Sequence, residues 1–365
     1  MGSRVLRLDR FGLLTLVGCS TLLSRSTPAD QPGAPPRSVP AVRHLVLVAL
    51  DGVRHQEIFA GVDPERARLA RIPIADRVEL MPHLWALAGR GVALGASPGE
   101  AFALSGPNFV SLPGYAEMLS GKPASCQENT CPGPPSGKTL VDAVCDAAGA
   151  DACGAAVITS WPDIERVVAM DPDRAWVSTG REGGSSRASS SDDPELVALL
   201  GRGRRAAPTP GHGGYRPDAE TARLAVAYLA REAPRFAFIG LGDTDELAHA
   251  DDYAGYVSAL AAADEVIGEL SEVASRWEAR DEPTVIVVTT DHGRAHNFRD
   301  HGGAHPESGR SWLVAAGTGI PRRGEVRLSR TRLMRDLAPT LASMLGVAFS
   351  PPSDDGLLTE LLPLP

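Results

Sequence analysis

Apolar positions in this chain form short continuous runs that alternate with stretches of helical periodicity. The runs that we interpret as buried strands are Leu45 to Leu50, Ala155 to Thr159, Phe236 to Leu241, Val285 to Thr290 and Trp312 to Ala316. The stretches with helical spacing are Met81 to Ala88, Thr139 to Ala148, Ala219 to Arg231, Tyr253 to Trp277 and Arg332 to Leu345. This alternation predicts an α/β fold, with a central, mostly parallel sheet and helices on both faces.

Glycine-rich positions mark the breaks in this pattern. Gly91 and Gly346 stand where helix ends are expected. Residues 180–214 are rich in Gly, Ser, Arg and Pro, and we interpret them as a long surface insertion.

Three of the predicted strands lead directly into carboxylates. Asp51 follows the first strand, Asp243 and Asp245 follow the third, and Asp291 follows the fourth. In an open α/β sheet, ligands bind at the carboxyl ends of the strands. Carboxylates gathered there repel one another unless a cation lies among them. We therefore predict a metal site at this edge of the sheet.

Histidines accompany these carboxylates. His292 directly follows Asp291, and His249 follows Asp245 by four residues, which places both side chains on one face if a helix begins near Asp245. His301 lies ten residues after Asp291, in the string Asp-His-Gly-Gly. Mixed carboxylate and imidazole ligands suit zinc, with manganese as the alternative.

A candidate nucleophile lies between the first and the later ligands. Pro113 suits the first turn of a helix continuing through 116–121, which places Ser111 at or just before the N-cap. A hydroxyl there faces the positive end of the helix dipole, and a bound metal would lower its pKa further. On this segment alone, a simple helix-capping role for Ser111 is an equal alternative.

The N-terminus has the pattern of an export signal. Arg4, Arg7 and Arg10 precede the apolar run Phe11 to Val17, and Gly18-Cys19 follows. This arrangement is typical of a bacterial lipoprotein signal peptide over residues 1–18, cleaved so that a lipidated Cys19 becomes the N-terminus; an ordinary signal peptide is the alternative. A proline-rich tether over 19–41, a catalytic domain over 42–350 and a C-terminal tail over 351–365 complete the predicted organisation. We expect the protein at the cell envelope, anchored to the outer membrane and facing the periplasm, with membrane contact only through the lipid on Cys19.

Charge and cysteine content add to this picture. The 365 residues have a net charge of −9; residues 1–18 hold three Arg and one Asp, so the mature chain would carry −9 − 2 = −11. An acidic chain without a long basic run is not expected to bind nucleic acid, and no apolar run is long enough for a spanning helix.

Beyond Cys19, the close spacings favour the disulfides Cys126–Cys131 and Cys145–Cys153 over other pairings or a structural zinc site.

Five motifs occur in the order seen in the alkaline phosphatase superfamily. They are Val48-Ala-Leu-Asp-Gly-Val53, Ser111-Leu-Pro-Gly-Tyr115, Asp245-Glu-Leu-Ala-His249, Thr290-Asp-His-Gly293 and Asp336-Leu-Ala-Pro-Thr340. Over residues 44–346 the chain resembles this superfamily, in particular its nucleotide pyrophosphatase/phosphodiesterases and phosphoglycerate-mutase-like phosphatases.

The resemblance implies two metal sites and a mechanism. Asp51, Asp291 and His292 match the ligands of one divalent ion, which also binds the Ser111 oxygen. Three further residues match the ligands of the second ion: Asp245, His249 and His301. The implied activity is metal-dependent hydrolysis of small phosphate esters through a phosphoserine on Ser111.

Several alternatives stay open at this point. Asp243 competes with Asp245 as a ligand, His305 competes with His301, and His296 is expected at the surface or behind the ligands. Lys122, Lys138 and Arg294 are candidates for contact with phosphate. The chain has Ser-x-Pro-Gly where the nucleotide phosphodiesterases show Thr-x-Pro-Asn, and Asn108 is the candidate replacement for the missing amide.

Other functions remain as alternatives too. A sulfatase or phosphotransferase of the same superfamily is one, although Tyr115 stands where the sulfatase signature has Arg. A surface-anchored binding lipoprotein without catalysis is the other. The oligomeric state is not predicted.

Overall fold

A large central sheet organises this protein. The computed structural model describes residues 42–96, 99–124, 126–134, 137–149, 153–349 and 356–363. The strands are β1 (His44–Leu50), β2 (Val92–Leu94), β3 (Phe102–Ala103), β4 (Ala155–Thr159), β5 (Trp176–Thr179), β6 (Gly183–Gly184), β7 (Phe236–Leu241), β8 (Thr284–Thr289), β9 (Arg310–Ser311), β10 (Leu313–Gly317), β11 (Gly324–Glu325) and β12 (Arg332–Leu333). The order across the central sheet is β11-β2-β10-β8-β1-β7-β4-β5-β6, and β12, β3 and β9 form a separate small sheet.

Most of the central sheet is parallel, as predicted. Strand β1 pairs in parallel with both β7 and β8, and β4 pairs in parallel with β7 and β5. Strand β10 is antiparallel to β8 and β2, and β6 is antiparallel to β5. The three strands that lead to the predicted ligands, β8, β1 and β7, are therefore adjacent in the centre of the sheet.

Helices cover both faces of the sheet. They are α1 (His55–Ala60), α2 (Pro64–Ala70), α3 (Arg77–Leu80), α4 (Pro82–Gly89), α5 (Ser111–Ser120), α6 (Leu140–Ala148), α7 (Glu165–Val168), α8 (Ser186–Ser189), α9 (Pro194–Arg205), α10 (Asp218–Glu232), α11 (Asp243–His249), α12 (Tyr253–Glu278) and α13 (Leu337–Leu345). Short 3₁₀ turns lie at Pro162–Ile164, Pro172–Arg174, Pro306–Gly309, Met334–Asp336 and Thr359–Leu361.

The alternation of side chains along β1 divides the core into two layers. Leu45, Leu47 and Ala49 pack in one layer together with α5, α6 and α13. Val46 and Val48 pack in the other layer together with α4, α10 and α12. Both faces of a central strand are thus buried, which explains why its sequence is a continuous apolar run.

Two regions have local structure that the sequence analysis did not predict. The proposed surface insertion over 180–214 is mostly at the surface but contains helix α9, which begins at Pro194 after an Asp193 N-cap and buries Leu196. The Asp-Pro pair is itself a helix-start signal that the arginine-rich composition obscured.

The helix predicted from Arg332 begins only at Leu337. Arg332 and Leu333 pair instead with β3, and the buried Arg332 guanidinium donates a 2.7 Å hydrogen bond to Glu360. Gly346 does end this helix, in the left-handed conformation with φ of 63°.

Both predicted disulfides are present, Cys126–Cys131 and Cys145–Cys153. Leu358 and Leu361, in the predicted C-terminal tail, are buried against the domain.

The predicted signal peptide, Cys19 and the tether lie outside the described residues. Within the described part of the chain, no helix combines the length and apolarity needed to cross a membrane.

Candidate active site

The carboxyl ends of β1 and β8 bring together the first predicted ligand set, Asp51, Asp291 and His292. One ligand atom from each of these residues lies within 4.8 Å of the others. His292 Nε2 lies 3.5 Å from Asp51 Oδ1 and 3.6 Å from Asp291 Oδ2. The His292 Nδ1 lies 2.7 Å from the Gly293 carbonyl, so it carries the proton and leaves the Nε2 lone pair directed at the carboxylates.

This half of the site is deeply buried. Asp51 is 4% exposed, and Asp291 and His292 are fully covered. Burial, and then the neighbouring carboxylates, raise the pKa of Asp51 well above its usual range. Burial also raises the pKa of Asp291 to about 8 and holds the pKa of His292 well below its usual value. Burial and mutual repulsion therefore destabilise the negative charge of these carboxylates, and a bound cation would stabilise it.

The donor set fits a divalent metal ion. Asp291 Oδ2 is buried and accepts no hydrogen bond from any described residue. Buried carboxylate oxygens are normally paired, so an orphaned one beside a second carboxylate and an imidazole lone pair is the signature of a missing cation. Two carboxylates and one imidazole are ligands that zinc and manganese accept.

The second predicted ligand set lies beside the first. Helix α11 presents Asp245 and His249 on one face, as their spacing predicted, with His249 Nε2 3.1 Å from Asp245 Oδ2. His301 Nε2 lies 3.0 Å from His249 Nε2 and 4.0 Å from Asp245 Oδ1. Ligand atoms of Asp245, His292 and His301 also lie within 4.8 Å of one another, so the two sets are contiguous.

The structure distinguishes between the competing ligand residues. The Asp243 carboxylate accepts a 2.6 Å hydrogen bond from the Tyr215 hydroxyl, away from the histidines, whereas Asp245 lies among them. His305 precedes a 3₁₀ turn, and its side chain makes no polar contact with Asp245 among the described residues, whereas His249 and His301 both do. The His296 side chain is 88% exposed, at the surface.

Arg294 has a different position from the one considered in the sequence. It does not line the cleft; its guanidinium pairs with Asp245 Oδ1 and donates to the carbonyls of Phe298 and Arg299. The Arg294 guanidinium therefore holds both Asp245, a predicted metal ligand, and the loop that leads to His301. It lowers the pKa of Asp245 well below the usual range, against the opposing effect of burial.

The position of Gly52, beside Asp245 and Arg294, leaves no room for a side chain. Gly52 has a φ of +63°, and a Cβ there would collide with Asp245 and Arg294. Its amide donates a 3.0 Å hydrogen bond to Asp291 Oδ1. Only glycine meets both demands at this turn.

Ser111 lies between the ligand sets. Its Oγ is 3.3 Å from Asp51 Oδ1 and 3.2 Å from His292 Nε2. Val110 is the N-cap of α5 and Ser111 is the first helical residue, which corrects the prediction that Ser111 lies at or before the cap. The Ser111 side chain makes no capping bond, so its hydroxyl is directed to the ligands.

A cleft of about 430 Å³ opens onto Ser111. Its floor includes Asp51, Asp245, His249 and His301, so the predicted nucleophile and both ligand sets share one solvent-accessible space. The cleft thus gives a small substrate access to all of them.

Comparison with known proteins agrees with this geometry. A sequence model of the Metalloenzyme superfamily matches residues 215–345, which include Asp245, His249, Asp291, His292 and His301. No curated protein matches the chain in sequence. The solved structure of the alkaline phosphatase PafA superimposes with a TM-score of 0.58 at 10% identity, covering 89% of this chain and 100% of PafA. The chain has the alkaline phosphatase fold.

Other solved structures with this fold have diverse activities. The phosphonate monoester hydrolase of Agrobacterium radiobacter gives a TM-score of 0.55 at 17% identity, with 87% of this chain and 77% of that chain covered. A 2-O GAG sulfatase gives 0.54 at 14% identity, with 88% and 74% covered. The predicted resemblance to the alkaline phosphatase superfamily is confirmed at the level of the fold, whereas the activity and the substrate have to be argued from the residues of this chain.

Two residues of this candidate site were not recognised in the sequence. Tyr115 is buried and donates a 3.0 Å hydrogen bond to Asp51 Oδ2, which fixes that carboxylate. Asn129 lines the cleft, and its Oδ1 accepts a 2.9 Å hydrogen bond from the amide of Leu112, next to Ser111. A signal for Asn129 was available in the short loop that the Cys126–Cys131 disulfide closes around it.

The other candidates for phosphate contact lie elsewhere. Asn108 donates to the Cys126 carbonyl at 2.9 Å and does not line the cleft. Lys138 pairs with Asp146 at 2.5 Å, and neither Lys138 nor Lys122 is among the cleft residues. Among the described residues that line the cleft there is no lysine or arginine, so the charge of an anionic substrate would have to be matched by bound cations.

Proposed function

We propose that this protein is a metal-dependent hydrolase of phosphate esters that uses Ser111 as its nucleophile. The observation that carries the proposal is the position of Ser111 Oγ, within 3.3 Å of a ligand atom from Asp51 and from His292, at the start of α5 and at the floor of the cleft. A hydroxyl held among metal ligands at a helix N-terminus is suited to attack on phosphorus.

The predicted ligands would hold two divalent ions, zinc or manganese. Asp51, Asp291 and His292 would hold one, and Asp245, His249 and His301 the other. When bound, such ions lower the pKa of a serine hydroxyl and offset negative charge on the ester oxygens. The orphaned Asp291 oxygen supports the first of these sites.

Ser111 then carries the covalent chemistry. Its Oγ releases its proton to solvent water and bonds to phosphorus, while the bond from phosphorus to the ester oxygen breaks and the alcohol leaves with a proton taken from solvent water. Water then attacks the phosphoserine, which restores the Ser111 hydroxyl and releases phosphate. The net reaction consumes one water and yields the alcohol and phosphate.

Asn129 is suited to bind a phosphoryl oxygen. While its Oδ1 is engaged by the Leu112 amide, its Nδ2 donates to no described residue. The two N–H groups of the Asn129 side chain therefore have no partner among the described residues, and they lie in the cleft near Ser111. The Cys126–Cys131 disulfide and a 3.2 Å hydrogen bond from Arg166 to the Asn129 carbonyl hold this loop.

A phosphate ester suits this site better than a sulfate ester. Tyr115 occupies the position of the sulfatase arginine, and its hydroxyl is committed to Asp51. Two divalent ions would match the greater charge of a phosphate ester.

Activity of the zinc- or manganese-loaded protein toward an aryl phosphate, a diaryl phosphate and an aryl sulfate tests the proposal. Ser111→Ala should lower phosphate ester turnover by at least about a thousandfold while the ions stay bound. Ser120→Ala, at the opposite end of the same helix, is the matched control and should keep most activity. The proposal is wrong if Ser111→Ala stays active, or if the wild type binds metal and cleaves only the sulfate.

A second comparison isolates the Asn129 loop. Replacing Cys126 and Cys131 by serine should lower kcat/KM about ten- to a hundredfold, because the amide donor is no longer held beside Ser111. Replacing Cys145 and Cys153, a pair that does not line the cleft, should lower the melting temperature but not kcat/KM. Equal losses of kcat/KM in both variants would contradict this role for the loop.

A further inference from the structure

The outer wall of the cleft, which lies beyond the predicted ligands, has a distinctive composition. It includes Trp161, Asp163, His212, Tyr215 and Glu246. Trp161 is only partly buried against the core, so its ring is available to a ligand, whereas Tyr215 is buried with its hydroxyl donated to Asp243 and supports the wall from behind.

The carboxylates on this wall are not equally neutralised. Asp163 pairs with Arg166 at 2.7 Å. The basic groups near Glu246 are two imidazoles: His212 lies 3.9 Å away with a side chain 93% exposed, and His249 lies on the same helix. The Glu246 side chain is 23% exposed and pairs with no lysine or arginine among the described residues.

The position of Glu246 relates it to one side of the reaction. It lies on α11 between Asp245 and His249, the two helical ligands of the second predicted site. Ser111 Oγ lies against Asp51 and His292 of the first set, so under the proposed function Asp245, His249 and His301 would hold the ion that offsets charge on the departing oxygen. The departing alcohol would then lie near Glu246 and Trp161. This step rests on the proposed function.

We infer that the cleft selects phosphate esters whose alcohol carries a positive charge, such as an ammonium or quaternary ammonium group. A carboxylate that pairs with no lysine or arginine attracts such a group, and the Trp161 ring adds a cation–π contribution. An alcohol with a further phosphate, sulfate or carboxylate would face Glu246 with a like charge and find no lysine or arginine among the described cleft residues.

Matched esters test this inference. Choline phosphate and 3,3-dimethylbutyl phosphate have nearly the same shape and differ in the charge of the alcohol, and phosphoglycolate supplies the anionic case. With the metal-loaded full chain, kcat/KM for choline phosphate should exceed that for the neutral isostere about tenfold, and phosphoglycolate should be the poorest. Choline should also inhibit competitively at lower concentration than 3,3-dimethylbutanol.

Variants then assign the selectivity to residues. Glu246→Gln should reduce the ratio of kcat/KM between choline phosphate and the isostere to near one. Glu265→Gln, on the exposed face of α12 with a side chain 77% exposed, is the matched control and should keep the wild-type ratio. Trp161→Leu should lower the same ratio by a smaller factor, and provides a second measurement if Glu246→Gln folds poorly.

The outcomes distinguish a failure of this inference from a failure of the proposed function. Equal rates for choline phosphate and its isostere in the wild type, or a ratio that survives both Glu246→Gln and Trp161→Leu, would overturn the inference and leave the proposed function standing. If the metal-loaded wild type cleaves neither ester nor an aryl phosphate, the proposed function fails and the inference fails with it.

Discussion

The two predicted halves of the metal centre differ in how they are built. Asp51, Asp291 and His292 follow adjacent core strands and are almost completely buried. In the other half, the His249 side chain is 46% exposed and His301 comes from a loop. The buried half contains an orphaned carboxylate oxygen, whereas the Asp245 carboxylate of the exposed half is already paired with Arg294.

This difference indicates how strongly each half depends on a cation. Burial, and then the neighbouring carboxylates, raise the pKa values of Asp51 and Asp291, and no arginine or lysine among the described residues pairs with them to offset this. Arg294 offsets part of the charge at Asp245 and also anchors the loop before His301. We therefore expect the buried half to bind its ion more tightly, and the exposed half to exchange its ion more readily.

The largest expected effect comes from removing one ligand from each half. Asp291→Ala should lower phosphate ester turnover by at least about a thousandfold and remove the tightly held ion. His249→Ala should leave metal content near one ion per chain, because the buried half is intact. Mass spectrometric metal analysis after dialysis measures both.

A histidine outside the ligand clusters provides the control for this pair. His305→Ala should keep both ions, since His305 contributes to neither cluster. The comparison would break if His249→Ala lost both ions, or if Asp291→Ala lost only the weakly held one.

A smaller effect concerns the pH dependence of the metal-free protein. The folded-state pKa of Asp291 is raised from 3.8 to about 8, so the folded protein binds more protons than the unfolded chain between these values, and its stability falls as pH rises. His301, with a pKa lowered to about 4, acts in the opposite direction below about pH 6.5. The free energy of unfolding should therefore fall most clearly from about pH 6.5 to 8, by roughly 1–2 kcal/mol.

Urea unfolding of the metal-free protein across this pH range measures the effect. Asp291→Asn lacks this titrating carboxylate and should show a flatter profile, and saturating zinc should reduce the decline in the wild type. A metal-free wild type whose stability rises over this range would contradict the account of the buried half.

The smallest expected effect comes from the residue that fixes Asp51. Tyr115→Phe removes one 3.0 Å hydrogen bond without changing the packing of the ring. Because partners behind metal ligands orient them, we expect the affinity of the tightly held ion to fall about tenfold, with little change in melting temperature. Competition with a chelating dye measures the affinity; an unchanged value would show that burial alone orients Asp51.

Much of the fold and of the site was predictable because it is encoded locally. Strands buried on both faces must be continuous apolar runs, so β1, β4, β7 and β8 were recognisable in the sequence. Parallel strands end at a common edge, and this rule alone is enough to place Asp51 and Asp291 together. The Asp245 and His249 pair followed from the period of the helix.

Tertiary packing decided what local patterns leave open. Asp243 and Asp245 are both helical residues after the same strand, and the first is engaged by the distant Tyr215 hydroxyl and Asp218 amide. Asn129 lies beside Ser111 because a disulfide loop folds back onto the start of α5, and Arg294 belongs to Asp245 because a separate loop brings them together. These contacts join residues far apart in the chain, so their energies depend on the assembled structure. Such contacts produce no periodic pattern in the sequence from which they could be predicted.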